Sequence, residues 1–322
     1  MEKVRHLELD EADRRIAAAL LASPRASWRA VGRALGLSER TVVRRAAPMF
    51  HDGTLRATVV RHPVWFPGLI PLALRIRCRP SRIRAIAATL ARRPDTIWVD
   101  VLGGGDEISV ILFLDGPDAR NTLLLRDLPA TPEVESWTSH VLLRVFPAAF
   151  DWSGGLLTDE ELSGLRPPAP ARPALLPIDH ELIAALTEDG RASYADLARR
   201  AGTTPLTARR RLESLTGGVI RLATEVDLAR LGIRAEALLW ITAAPGGLEE
   251  AGRRLSRHPQ VRFTAATTGP ANLLVAVAAA DLDALYRFLN DTLGALERVV
   301  TAEVTPILAG VKRTGLVRPG SL

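Results

Sequence analysis

Residues 13–45, DRRIAAALLASPRASWRAVGRALGLSERTVVRR, recur 166 positions later as residues 179–211, DHELIAALTEDGRASYADLARRAGTTPLTARRR. The two stretches align without a gap. Asp13 falls on Asp179, Ala18-Ala19-Leu20 on Ala184-Ala185-Leu186, and Arg25-Ala26-Ser27 on Arg191-Ala192-Ser193. Gly36 falls on Gly202, Thr41 on Thr207, and Arg44-Arg45 on Arg210-Arg211. Solenoid units repeat every 20–50 residues or so, so this period is the duplication of a whole multi-element module.

Each copy spells the same local structure. In 9–21, Ile16, Ala17, Leu20 and Leu21 recur at helical spacing, with Asp10 or Asp13 to cap the start and Ser23-Pro24 to end the run. Ser27 opens a second helix over 27–35, and Gly36 follows where a left-handed residue is needed. Ser38 caps a third helix, ERTVVRRAA, which Pro48 is expected to stop about a turn early. In copy two the corresponding signals are Ser193, Gly202 and Thr204-Pro205, with Gly217-Gly218 at the close. Helix, short glycine turn, helix is the helix-turn-helix pattern, which puts nucleic acid first among partners.

The period then changes. Strands are predicted over 72–77, 97–102, 108–114 and 137–145, with helices over 82–92 and 118–127 between them. In copy two, strands at 236–242, 261–267, 273–278 and 300–308 alternate with helices at 247–257 and 281–291. An offset of 165 now places Trp98 on Phe263, Gly104 on Gly269 and Val110 on Val275. The expected fold class is therefore α+β: two tandem copies of a helix-turn-helix (winged-helix-like) module followed by a ferredoxin-like βαββαβ domain. The segments run 1–62, 63–151, a linker over 152–177, then 178–228 and 229–322. Within the linker, TDEELSGL has the signals of a short capped helix, and Pro168 to Pro173 reads as an extended spacer.

Bulk properties narrow the class. A chain of 322 residues with 47% hydrophobic content can bury real cores. The single cysteine, Cys78, excludes an internal disulfide and any multi-cysteine metal site. The six histidines show no metal-ligand spacing, and no cofactor motif is present. The opening MEKVRHLELD lacks a secretory pattern and no apolar run reaches bilayer length, so a soluble, cytoplasmic protein without a membrane partner is expected. Net charge is +6, and 40 of the 42 basic residues are arginine. Residues 1–62 hold 12 basic and 7 acidic side chains, against 7 and 6 in 175–221, so the excess sits on the first helical module.

A helix-turn-helix followed by βαββαβ resembles the leucine-responsive regulator/AsnC family of bacterial transcription factors. The carrying residues are Leu9-Asp10, Asp13 and Ile16, then Gly36-Leu37-Ser38 and Thr41-Val42 with Arg44-Arg45. In copy two they are Arg210-Arg211-Leu212-Glu213 and Gly218-Val219-Ile220. The resemblance implies sequence-specific binding of double-stranded DNA, a small-molecule, amino-acid-like effector, and homo-oligomers built through the βαββαβ domains. It also implies that the two halves form within one polypeptide the dimer that ordinary members make from two. Copy one departs from the pattern at Ala46-Ala47-Pro48-Met49-Phe50.

The candidate DNA-binding residues are Ser38, Arg40, Thr41, Arg44 and Arg45 in copy one, with Thr204, Thr207, Arg209, Arg210 and Arg211 in copy two. Hydroxyls and free N–H groups at helix starts hold phosphate, and arginines one turn on reach base edges or the backbone. One arginine of each Arg-Arg pair is expected to face inward or form a structural ion pair. The candidate effector residues are Gly103, Gly104, Asp106 and Glu107, with Gly269 and Asn272 in copy two, where bare N–H groups and an acid would receive an amino acid. A plain hairpin turn explains the same glycines. Asn272 stands where copy one has an acid and Pro270 deletes a donor, so any pocket is asymmetric.

Two other readings use the same architecture. Sirohaem decarboxylases resemble it, but their His-Asn-Tyr run is absent here, and the only tyrosines are Tyr194 and Tyr286, both on predicted helices. The chain is accordingly read as a non-enzyme. The third reading is an effector-sensing partner that has lost DNA binding.

Overall fold

The computed structural model describes residues 9–146, 152–165, 174–216 and 218–321, so the spacer expected over 168–173 lies outside the described residues. Copy one runs α1 (Glu11–Ala22), α2 (Trp28–Leu35), α3 (Glu39–His51), β1 (Leu55–Arg61), β2 (Leu69–Cys78), α4 (Ile83–Arg92) and β3 (Thr96–Leu102). It continues with β4 (Glu107–Asp115), α5 (Gly116–Thr122) and β5 (Val134–Val145). A short helix, α6 (Asp159–Ser163), follows, held by a capping box in which Glu161 reaches back 2.8 Å to the Thr158 N–H. Copy two runs α7 (Pro177–Glu188), α8 (Tyr194–Arg200), α9 (Pro205–Leu215), β6 (Ile220–Val226), β7 (Ala235–Ala243) and α10 (Leu248–Leu255). It ends with β8 (Val261–Thr267), β9 (Leu273–Ala279), α11 (Leu282–Arg287), β10 (Val299–Arg313) and β11 (Leu316–Val317).

The chain is α+β and divides into two compact units, Met1–Trp65 with Asp151–Gly232 and Phe66–Phe150 with Ile233–Leu322. Like is grouped with like: both helical modules fall in the first unit and both strand-rich modules in the second.

In the first unit, α1 buries Ile16 and Ala17 through Leu20, and α7 buries Leu182, Ile183, Ala185 and Leu186 on the same stripe. Gly36 and Gly202 take positive φ, 68° and 61°, to turn the chain into α3 and α9. Pro48 does not stop α3, which continues to His51. The proline ring is exposed and sacrifices only its own missing N–H. Beyond it Met49 is buried, the Phe50 ring lies 6.3 Å from Trp28, and the Asp52 N–H returns 2.9 Å to the Pro48 carbonyl. Two strands absent from the sequence reading, β1 and β6, pair antiparallel with Thr58 opposite Ala223. Those two residues are counterparts at offset 165, so each strand pairs with its own duplicate about a local dyad.

The second unit repeats that relation on a larger scale. Spatial order is β10-β3-β4-β2-β5-β8-β9-β7, and β7 pairs back onto β10, closing the sheet. The sequence predicts two βαββαβ modules that associate within the chain; that their strands join edge to edge into one closed sheet comes from the structure. Its two seams have one register. Leu142 faces Thr267 and Arg144 faces Ala266 across β5·β8, while Ile307 faces Leu102 and Ala309 faces Val101 across β10·β3. Every one of those residues is the 165-offset counterpart of another, and even the irregularity between the first and second pair is shared. Helices cover the outside, α4 over Leu72, Leu74, Ile76 and Val110, and α10 and α11 over Leu239, Ile241, Val275 and Val277.

Inside the closed sheet, counterparts meet again. The Arg75 guanidinium lies 5.4 Å from the Trp240 ring and Trp98 lies 6.2 Å from Phe263. The buried charges are not duplicated between the halves. Strand β10 runs on to Arg313, fully buried, which pairs with Glu236 at 2.7 Å and Asp100 at 3.2 Å. Arg262 joins Glu236 from the other side at 3.1 Å. Burial works to raise the Glu236 carboxyl, but Arg313 and Arg262 outweigh it and hold it at about 2. Burial wins at Asp100, whose carboxyl is pushed above its ordinary range.

Removing one partner from such a group strands the others. Arg313→Met is expected to lower unfolding stability by about 3–5 kcal/mol in urea titrations. A change within experimental error would show that the charge group does not hold the end of β10 in place.

Candidate nucleic-acid interface

The N-terminal end of α3 is built by its cap. Ser38 Oγ accepts from the Thr41 N–H at 3.1 Å and shares a 2.8 Å hydrogen bond with Thr41 Oγ1. Thr204 and Thr207 repeat the arrangement on α9, at 3.2 and 2.9 Å. Pro205 occupies the first helical position there, where no donor is lost. Both helices therefore begin with a rigid hydroxyl pair and outward N–H groups, the geometry that receives a phosphate.

The arginines divide into two kinds. Arg45 turns back onto α1, donating to Asp10 at 2.7 Å and Asp13 at 2.9 Å. Its counterpart Arg211 does the same on α7, donating to Asp179 at 2.9 and 2.5 Å and to the Ala174 carbonyl at 3.0 Å. Asp179 is fully buried, and its other task is to accept from the Leu176 N–H at 2.8 Å. Backbone donation from Asp13, with Arg45 beside it, holds the Asp10 carboxyl below its ordinary range. In each Arg-Arg pair the second arginine is thus the one that ties the recognition helix to the first helix of its module. The first, Arg44 or Arg210, is exposed and has no ion-pair partner among the described residues, and Arg40 is exposed likewise. Arg209 is intermediate, exposed but bonded to Glu213 at 2.8 Å one turn along.

The candidate effector residues are placed differently. Gly103 and Gly104 are exposed at the β3–β4 turn, and a Cβ on Gly104 would fall 2.3 Å from Asp106 Oδ1. Glu107 is buried and bonded to Arg75 at 2.5 and 3.1 Å. Arg75 in turn holds Glu303 of β10 at 2.8 and 2.6 Å. In copy two, a Cβ on Gly269 would fall 2.4 Å from His140 Nδ1, and that nitrogen lies 2.7 Å from the Thr268 carbonyl. Asn272 spends both ends of its amide on Ala243, accepting from its N–H at 2.9 Å and donating to its carbonyl at 2.8 Å. The two turns are linked through Arg75, Trp240 and His140, whose ring is 4.9 Å from Trp240. Sequence reasoning missed all three of these. The offset that sets Arg75 on Trp240 was the available signal. Among the described residues no group of His, Cys, Asp and Glu is placed to hold a metal ion, and no helix is long and apolar enough to cross a membrane.

The two tying arginines differ in what they protect, which gives a test. Arg211→Ala leaves Asp179 buried without its cation and is expected to cost about 3 kcal/mol in denaturant unfolding. Arg45→Ala is expected to cost clearly less, since Asp10 and Asp13 both reach solvent. Equal losses would contradict the burial argument.

Comparison with known proteins places these elements. The AsnC-type helix-turn-helix domain matches residues 9–49 and again 177–216, and the Lrp/AsnC ligand binding domain matches residues 236–317. A protein of Pyrococcus horikoshii described as an uncharacterized HTH-type transcriptional regulator is 30% identical over 143 residues, 44% of this chain and 90% of that protein. The HTH-type transcriptional regulator LrpA1 of Halobacterium salinarum is 32% identical over 126 residues, 38% of this chain and 89% of its own. Among solved structures, the siroheme decarboxylase NirDL superposes over 95% of this chain and 93% of its own with a TM-score of 0.59, at 11% identity. That likeness is one of fold. Two matched helix-turn-helix domains, a matched ligand-binding domain and relatives covered over nearly their whole length place the chain in the Lrp/AsnC family, in a form that carries two helix-turn-helix modules in tandem.

Proposed function

We propose that this chain is a sequence-specific DNA-binding transcriptional regulator that acts in the cytoplasm and reads one duplex with two non-equivalent helix-turn-helix modules. The observation that carries this reading is the division of the arginines. In both copies the hydroxyl-capped start of the recognition helix is exposed together with Arg44 or Arg210, while Arg45 or Arg211 is withdrawn to brace the module. Base contacts come mainly from the N-terminal part of a recognition helix, so Ser38, Arg40, Thr41 and Arg44 form the first reader and Thr204, Thr207, Arg209 and Arg210 the second. Arg45 and Arg211 contribute by orienting those surfaces. The family match and the regulators among its relatives support the same reading.

Each half of the closed sheet is taken as a ferredoxin-like βαββαβ unit serving effector binding and assembly into homo-oligomers. An amino-acid-like effector would enter near Gly103, Gly104, Asp106 and Gly269, where Arg75, Glu107 and Glu303 already form a charge group it can compete with. Asn272 supports that region by clamping Ala243.

A second reading, an enzyme resembling siroheme decarboxylases, rests on the fold likeness over nearly the whole chain. Holding and protonating a tetrapyrrole calls for clustered His, Arg and Tyr side chains. Here His140 and Arg75 both adjoin Trp240, but Tyr194 lies under Arg25 in the helical unit and Tyr286 is largely exposed on α11. The regulator is therefore the better-supported reading. The third reading, a sensor without DNA binding, leaned on Pro48, and α3 runs through that residue.

Selection of genomic fragments by the purified chain, followed by titration at rising salt, tests the proposal. A shared motif and a steep salt dependence are expected. Arg44→Ala and Arg210→Ala should each weaken binding by about 1–3 kcal/mol if the side chain reads a base, or reduce the salt slope by about 1 if it holds a phosphate. If no fragment is retained above the non-specific level while an iron tetrapyrrole binds with a Soret shift, the enzyme reading takes its place.

A further inference from the structure

The two helical modules grip each other through a reciprocal contact between the loops α1–α2 and α7–α8. Arg25 donates to the Gly190 and Ala192 carbonyls, both at 2.9 Å, and its guanidinium lies 5.1 Å from the Tyr194 ring. Arg191 donates to the Pro24 and Ala26 carbonyls at 2.5 and 3.3 Å and lies 4.0 Å from the Trp28 ring. Each of these atoms has its 166-offset counterpart in the other half of the contact. Arginine thus sits on the other copy's aromatic, and binds the carbonyls on either side of the other arginine.

Such a contact is expensive. Burial first, and the nearby Arg25 charge second, lower the Arg191 guanidinium to about 10. Four carbonyl bonds and three ring contacts offset that cost, and together they fix a geometry.

The ribbon β1·β6 also joins the modules, and each first helix is tied to the other copy's strand: Thr58 Oγ1 donates to the Thr187 carbonyl at 3.0 Å and Thr224 Oγ1 to the Leu20 carbonyl at 2.7 Å. The reciprocal arginine contact adds to these ties at the loops, where the Gly190 N–H also donates to the Ala57 carbonyl of β1 at 2.8 Å, and it is the part of the junction that acts on the readers' own modules through their second helices. It also reaches the readers. Trp28 and Tyr194 are the first residues of α2 and α8, and Arg191 extends to 5.6 Å from Phe50 in the last turn of recognition helix α3. Copy two has Thr216 at the matching position, so the contact holds α3 directly and α9 only through α8.

We propose that Arg25 and Arg191 are positioning residues that set the distance and angle between the two recognition helices, and thereby the half-site spacing the chain accepts. This rests on the DNA reading above. They touch no base in this scheme; they decide where the second reader lands once the first has bound, as half-site spacing follows from module geometry. A fixed separation raises the effective concentration of the second reader at one spacing and lowers it at all others.

The test is selection from a random duplex library with the wild-type chain and with the Arg25→Ala, Arg191→Ala double variant. The wild type should return paired half-sites at one spacing. The variant should return the same half-sites over a spread of spacings, bind the wild-type duplex roughly tenfold or more weakly, and bind an isolated half-site as before. An unchanged single spacing overturns the proposal, as does an equal loss on isolated half-sites, which would mark a merely structural role. A wild type that selects nothing refutes the DNA reading itself, and this proposal with it. Spin labels at the exposed Ala47 and Glu213 give a readout without DNA: the distance distribution between α3 and α9 should be narrow in the wild type and broad in the variant. If the double variant fails to fold, Arg25→Lys, which keeps a cation near Tyr194 but loses the two-carbonyl fork, carries the same measurements.

Discussion

An open four-stranded sheet leaves a row of unpaired N–H and C=O groups along each edge, and the second unit is shaped by how that is resolved. Strands β3 and β5 are the edges of the first half, β8 and β10 those of the second, and each edge pairs with an edge of the other half. Separating the halves would also uncover the lining residues Phe263, Leu238 and Leu274 and break the contact between Trp98 and Phe263. Duplication inside one polypeptide supplies the complementary edge at fixed one-to-one ratio. The cost of bringing the halves together becomes a loop closure rather than an association.

The same logic operates in the first unit through smaller contacts. Strand β1 pairs with its own duplicate, and the loop arginines bind the loop of the other copy. Some contacts keep the same residues in both copies and others do not. Arg25 and Arg191 match, as do Arg45 and Arg211 with Asp13 and Asp179. Phe50 against Thr216, Glu107 against Asn272 and Arg75 against Trp240 do not match. A single chain can diverge in this way because both copies are always present, so each reader and each turn is free to take a separate task.

Much of this was legible in the residues. The repeat located both helix-turn-helix modules, and the caps Ser27, Ser38, Ser193 and Thr204 start the helices where the sequence put them. Strand order along the chain followed from the change of period. What stayed hidden depends on partners far away in sequence. Nothing in LRATVVR or IRLATEV names the other as its mate, and both strands form only as that pair. Pro48 does not end α3, because beyond it Met49 is buried and the Phe50 ring packs on Trp28 at the start of α2. Which arginine of each pair turns inward could not be read either; it is set by the position of Asp13 or Asp179 across the module. That the Asn272 amide closes the end of β7 through Ala243 was not legible either, because the partner lies on another strand.

A footprint titration on one selected duplex reaches the central claim most directly. If one chain carries both readers of a single operator, the two half-sites become protected together, at one protein concentration, and mutating either half-site weakens protection of both. Protection of one half-site alone, or of two that fill independently, would show that the duplicated modules do not read DNA as a unit.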